Sequence, residues 1–141
     1  MMIIDISQTL RPDLPMWPGE APCEGEVVAK ISANCPVNVS RILMSAHSGT
    51  HADSPFHYDD NGLSSSECEL SPYIGECQVV DVSHAVGVIS LDSLSNDFQV
   101  TSQRVLFRSY DRFPHTKWDP NFKAICPDLI RYLAKKKVKL V

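Results

Sequence analysis

Hydrophobic and polar positions alternate most clearly in two neighbouring stretches, Glu24–Ile31 and Val37–Ser45, where every second side chain shares a strand face. In the second, Val37, Val39, Arg41 and Leu43 stand against Asn38, Ser40, Ile42 and Met44. The alternation is imperfect, as expected for a strand partly covered on both faces. Short apolar runs predict further strands at Met2–Ile6, Val79–Val82 and Val105–Phe107. Between the last two, Ser90 is placed to cap a short helix reaching about Asn96. From Arg11 to Pro22, four prolines and Gly19 surround Trp17. That composition holds neither a regular helix nor a central strand, and predicts a loop. Asp59-Asp60-Asn61-Gly62 marks a turn. Near the end, Pro127 fits a first helical position, and Leu129, Ile130, Leu133 and Ala134 form an apolar stripe. Lys135–Lys137 suit the negative end of that helix dipole. The helix leads into Lys137–Val141, which reads as the start of a strand. Strands and helices in this succession predict the α/β class, in a single domain covering 1–141.

Composition narrows the setting. Apolar residues make up 43% and charged residues 21%, ordinary for a globular protein of 141 residues with one moderate core. Through residue 130 there are 8 basic and 17 acidic side chains, while the last eleven residues add five basic ones. An acidic body with a short basic tail argues against nucleic acid as a partner. No apolar stretch approaches the length of a membrane span, and the first residues lack the blocks of a signal peptide. Cys23, Cys35, Cys68, Cys77 and Cys126 are odd in number and widely spaced, which predicts free thiols and a reducing, cytoplasmic compartment.

The chemistry concentrates in His47-Ser48-Gly49-Thr50-His51-Ala52-Asp53-Ser54-Pro55-Phe56-His57, which holds three of the five histidines. Imidazole and carboxylate are ligands that zinc and similar divalent ions accept at neutral pH. On a straight strand the alpha carbons of His47 and His51 would stand about 13 Å apart, more than two imidazoles comfortably bridge. A bend or bulge is therefore expected, and Gly49 is suited to make it. Pro55 should end regular pairing, leaving His57 beyond the turn and near the metal. Thr50 reads as support, Asp59 and Asp60 as turn formers, and His84 and His115 stand isolated.

The pattern His-x-Gly-Thr-His-x-Asp-x-Pro-x-His resembles the signature of the metal-dependent cyclase-like hydrolases. Asp5–Leu10, Met16-Trp17-Pro18-Gly19 and Cys35–Val39 resemble its bacterial kynurenine formamidase branch. The resemblance implies a mixed-sheet, swivelling β/β/α-type cyclase-like domain. It also implies His47, His51 and Asp53 as metal ligands, with Asp53 bridging toward a second ion. His57 corresponds to the catalytic acid/base, with an additional ligand as the alternative, and Trp17 to a pocket wall. Phe56 beside the motif reads as pocket or core. The implied cofactor is zinc, one or two ions, with manganese or another divalent ion as alternatives. The implied substrate is an aryl formamide, N-formyl-kynurenine, and the implied assembly is a homodimer. Members of this family draw a further histidine and glutamate from a later segment. Here no histidine follows His115 and no glutamate follows Glu76. The expectation is thus a C-terminally incomplete domain of reduced activity, with a different cyclase-family amidase or esterase, or an inactive metal-binding remnant, as the alternatives.

Overall fold

The computed structural model describes residues 4–141. These sort into two compact units, one of the chain up to Ser65 with Pro114–Trp118, the other of Ser66–Phe113 with Asp119–Val141. No helix among the described residues is long and apolar enough to cross a membrane.

The first unit is built on an antiparallel hairpin, β1 (Glu24–Ala29) against β2 (Val39–Leu43). Glu24 faces Leu43 and Glu26 faces Arg41, but the register slips between Val27 and Ala29. The extra residue is Val28, and the resulting bulge interrupts the two-residue alternation there. Val27 and Val28 are both about half exposed, at 53% and 50%. The connection closes with a reciprocal pair, Ser32 N to Cys35 O at 2.9 Å and Cys35 N to Ser32 O at 3.3 Å. Asn38 Oδ1 accepts from Ile31 N at 2.9 Å beside it. Both strands fall inside the stretches expected from sequence. The strand expected at Met2–Ile6 lies partly outside the described residues, and Ile4–Ile6 carry no regular structure. Leu14, Cys23 and Ser48 are buried in this unit.

In the second unit β3 (Gln78–Asp81) runs parallel to β5 (Val105–Arg108), and the two-residue β4 (Val88–Ile89) runs parallel to β6 (Ala124–Ile125). Helix α1 (Pro127–Lys135) follows β6 directly. Val82, Ile89, Val105, Leu129 and Leu133 form its core, each at most 1% exposed. The result is a mixed α/β fold whose three sheets are two-stranded and open. All five cysteines are free thiols.

Three expectations are corrected here. The helical stripe narrows to Leu129 and Leu133, because the chain's own turn rotates Ile130 to 40% exposure and Ala134 out to solvent. The strand expected over Lys137–Val141 does not form either. Lys137 adopts φ of 64°, and Val138 N donates to Leu133 O at 3.1 Å while Lys137 N donates to Ala134 O at 2.9 Å. That closure satisfies the last helical carbonyls and redirects the chain. Only Leu140 then pairs, as a single parallel bridge to Arg104. The helix expected after Ser90 is one short turn, Leu91–Ser93, with Ser93 Oγ accepting from Ser90 N at 3.0 Å.

Candidate metal centre

β2 ends at Leu43, so the motif is not a strand but a loop of turns leading to a single 3-10 turn, Pro55–His57. Gly49 makes the reversal, with φ of 66°. A Cβ on that residue would stand 3.0 Å from Leu10 Cδ2 and 3.6 Å from Leu14 Cδ2. The left-handed backbone disfavours any larger residue there, and the Leu10 side chain would have to give way as well. Folding back at Gly49 brings His51 to His47, which the extended spacing forbade.

The donor atoms form a small triangle. His47 Nδ1 lies 3.0 Å from Asp53 Oδ1, His51 Nε2 lies 3.4 Å from the same oxygen, and the two nitrogens are 3.2 Å apart. Three ligands of one tetrahedral zinc, each at about 2.0–2.1 Å, would be separated by about 3.3–3.4 Å. The observed edges of 3.0–3.4 Å lie close to that spacing, so the donor set suits a single divalent ion after a small adjustment. Among the described residues, this is the group of three or more donors close enough to share one. His51 Nδ1 is 3.0 Å from Gly49 O. Donation of the Nδ1 proton to that carbonyl leaves Nε2 as a lone pair aimed into the triangle. The three side chains are 30–36% exposed, which leaves a face open to a further ligand.

Support comes in part from Glu20 and Ser45, which sequence reasoning did not select. Ser45 Oγ accepts from His47 N at 3.1 Å and donates to Glu20 Oε2. Glu20 N in turn bonds Trp17 O at 3.0 Å, closing a turn in the proline-rich loop. Thr50 Oγ1 accepts from Gln8 N at 2.9 Å, the supporting part expected of it. Nothing local in the sequence marks Glu20, whose partner lies 25 residues away.

His57 stands apart from the triangle but next to it, its ring 4.4 Å from that of His47 at 57°. Its turn is held by Phe56 N donating to Leu63 O at 3.1 Å, while Gly62 packs on the Pro55 backbone. Phe56 is 58% exposed, which places it outside any core, and Trp17 is 54% exposed. Asp59 acts within its turn, accepting from Asn61 N at 3.0 Å. His84 and His115 are not in the triangle.

Comparison with known proteins adds a lineage to this geometry. Residues 4–141 match the family model described as "Cyclase: Putative cyclase". The chain is 42% identical over 139 residues to a kynurenine formamidase of Sphingopyxis alaskensis, covering 99% of this chain and 66% of that protein. It is 45% identical over 139 residues to a kynurenine formamidase of Erythrobacter litoralis, covering 99% and 63%. It thus spans just under two thirds of the length of these curated relatives. Among solved structures, isatin hydrolase A from Labrenzia aggregata, bound to benzyl benzoate, superposes with a TM-score of 0.74 at 23% identity, over 97% of this chain and 64% of that one. At that identity the likeness speaks for the fold.

Proposed function

The chain belongs to the cyclase family of hydrolases, and on that premise we propose that the protein hydrolyses an aryl formamide, N-formyl-kynurenine, to formate and the free aryl amine. The observation that carries this reading is the His47–His51–Asp53 triangle, whose 3.0–3.4 Å edges suit one divalent ion. The reading takes that ion as zinc. A divalent ion held there would supply Lewis acidity toward the formyl oxygen and acidify water enough to react near neutral pH.

The chain's own residues do the rest. Asp53 would offset part of the charge of an ion held there. A second ion, which the family resemblance implies, would need donors beyond this triad. Cleavage of the C–N bond leaves an arylamine nitrogen that must gain a proton. His57 is assigned that transfer, since imidazole carries and releases a proton near neutral pH and its ring adjoins that of His47. Trp17 and Phe56 offer half-exposed aromatic surface to the substrate ring. Assembly as a homodimer and a cytoplasmic setting belong to the same proposal.

The test is formate release from N-formyl-kynurenine by chelator-stripped protein before and after one equivalent of zinc. Turnover that returns with zinc and is lost in His51→Ala supports the reading. Hydrolysis of a small cyclic amide in preference to the formamide would move it to another activity of the family. Zinc binding with no hydrolysis of either would leave a metal-binding remnant.

A further inference from the structure

We infer that Trp118 is a positioning residue that holds the indole of Trp17 as an aromatic-selective wall of the substrate site. The inference deepens the proposed function and rests on its assignment of Trp17 to that site. Pro114–Trp118 interrupts the second unit in sequence, yet it clusters with the first. Its tether is Arg11, whose guanidinium forks between Asp13 Oδ1, at 2.7 Å from Nε, and the His115 carbonyl, which accepts from Nη2. A planar fork fixes two chain segments at once, which a lysine in the same place would not do. One end of that fork, Asp13, lies in the proline-rich loop that carries Trp17, and the other holds the segment that carries Trp118.

The consequence is an indole pair. The rings of Trp17 and Trp118 meet edge-on, with centroids 5.0 Å apart and an interplanar angle of 69°. Edge-to-face contact is the favoured geometry of aromatic quadrupoles and restrains ring rotation. Trp17 nevertheless keeps 54% of its surface exposed. A large apolar ring left half bare, while a second tryptophan is brought 101 residues along the chain to orient it, is poorly explained by core packing. The loop bearing it is also fastened to the ligand loop through the Trp17 O, Glu20, Ser45 and His47 N sequence of hydrogen bonds. Orientation of the indole is thereby referenced to the same backbone that presents the first ligand. A pre-oriented π-face selects a flat aryl group over a puckered ring of equal size.

Only two tryptophans occur in the chain, so its indole fluorescence reports this pair alone. Formanilide and N-cyclohexylformamide are titrated into the full chain in the presence of chelator, with excitation at the red edge, so that binding is read without turnover. Formanilide should quench saturably and bind at least about tenfold more tightly than its alicyclic counterpart. Trp118→Leu should cut that preference about two- to twelvefold, the worth of an aromatic pair. Trp118→Phe should retain most of it, and both variants should bind zinc within about twofold of the parent. Three results would overturn the inference: no saturable quenching in the parent, an unchanged preference in Trp118→Leu, or loss of zinc binding in both variants. Failure of the reaction reading is separately visible, as absence of turnover by zinc-loaded protein whose aromatic preference is intact.

Discussion

Replacing Ser45 by alanine removes one oxygen that performs two tasks, and the structure sets the size of the effect. Ser45 Oγ accepts from His47 N at 3.1 Å and donates to the Glu20 carboxylate. The variant leaves a part-buried amide beside the first ligand without its acceptor, and a carboxylate without its donor. A hydrogen bond to a charged group contributes about 1.5–3 kcal/mol, and partial exposure of these atoms argues for the lower half. Some of that loss appears as fold stability and some as freedom of the ligand loop. Loss of a supporting contact behind a metal ligand typically weakens metal binding about 10–100-fold, or roughly 1.4–2.8 kcal/mol. Ser45→Ala is therefore expected to weaken zinc binding about tenfold. Glu20→Gln, which keeps an acceptor but removes its charge, should do less, and Ser45→Thr should restore the parent affinity. The assay is competition for zinc against a chromophoric chelator at fixed pH, paired with thermal unfolding in excess chelator. Zinc affinity within twofold of the parent in Ser45→Ala would refute the argument that this hydrogen-bond sequence holds His47 in place. An equal drop in chelator-measured stability with no change in affinity would refute it too.

Gly62→Ala tests the support of the other histidine. A Cβ there would stand 2.5 Å from Pro55 C and 2.7 Å from Phe56 N, backbone atoms that cannot rotate away. The variant should lose about 1–3 kcal/mol in denaturant unfolding, and a change under about 0.5 kcal/mol would show that the Pro55–His57 turn is free to shift. In the second unit, burial first, then the hydrogen bond to Asp119 and its charge, pushes the Tyr110 phenol up to about 12. Its hydroxyl donates to Asp119 Oδ2 at 2.8 Å. Because the folded value is raised, this contribution is whole below the unfolded value near 10 and is lost as pH rises through about 12. Phenolate absorbance should show a late tyrosine titration that Tyr110→Phe removes and Asp119→Asn moves downward. A single phase near pH 10 would sink the assignment.

What the sequence made legible, and what it did not, divides along contact distance. β1, β2, β3 and β5 were readable because each carries its own alternation or apolar run. β4 and β6, two residues each, have no period to detect and exist because Ile89 and Ile125 sit beside one another against α1. Val138–Val141 has strand composition, but the closure at Lys137 left one bridge to be made. In the site, the donor types and the need for a bend at Gly49 were local facts. Its supports were not, since Glu20 meets Ser45 across 25 residues and Arg11 meets His115 across 104.

The contrast between the two units gives the site a physical logic. The five most deeply buried hydrophobic side chains, Val82, Ile89, Val105, Leu129 and Leu133, all belong to the second unit. The first unit holds the candidate ligands but, among the described residues, buries only Leu14, Cys23 and Ser48, and both β1 and β2 stay largely exposed. A hairpin alone is marginal in water, so apolar burial cannot be what keeps the ligand loop in shape. Its order rests on discrete polar ties, namely Gln8 to Thr50, Glu20 to Ser45 and Ser45 to His47, together with the backbone reversal at Gly49. Such ties are directional, and each fixes one donor atom's position where a hydrophobic contact would tolerate sliding. An ion that binds only the folded loop adds its binding free energy to that unit's stability. A metal held by His47, His51 and Asp53 would therefore act structurally on the first unit, whatever chemistry it supplied. The residues expected to tune its affinity are then those that hold the loop, Glu20, Ser45 and Thr50, and not those that fill the core.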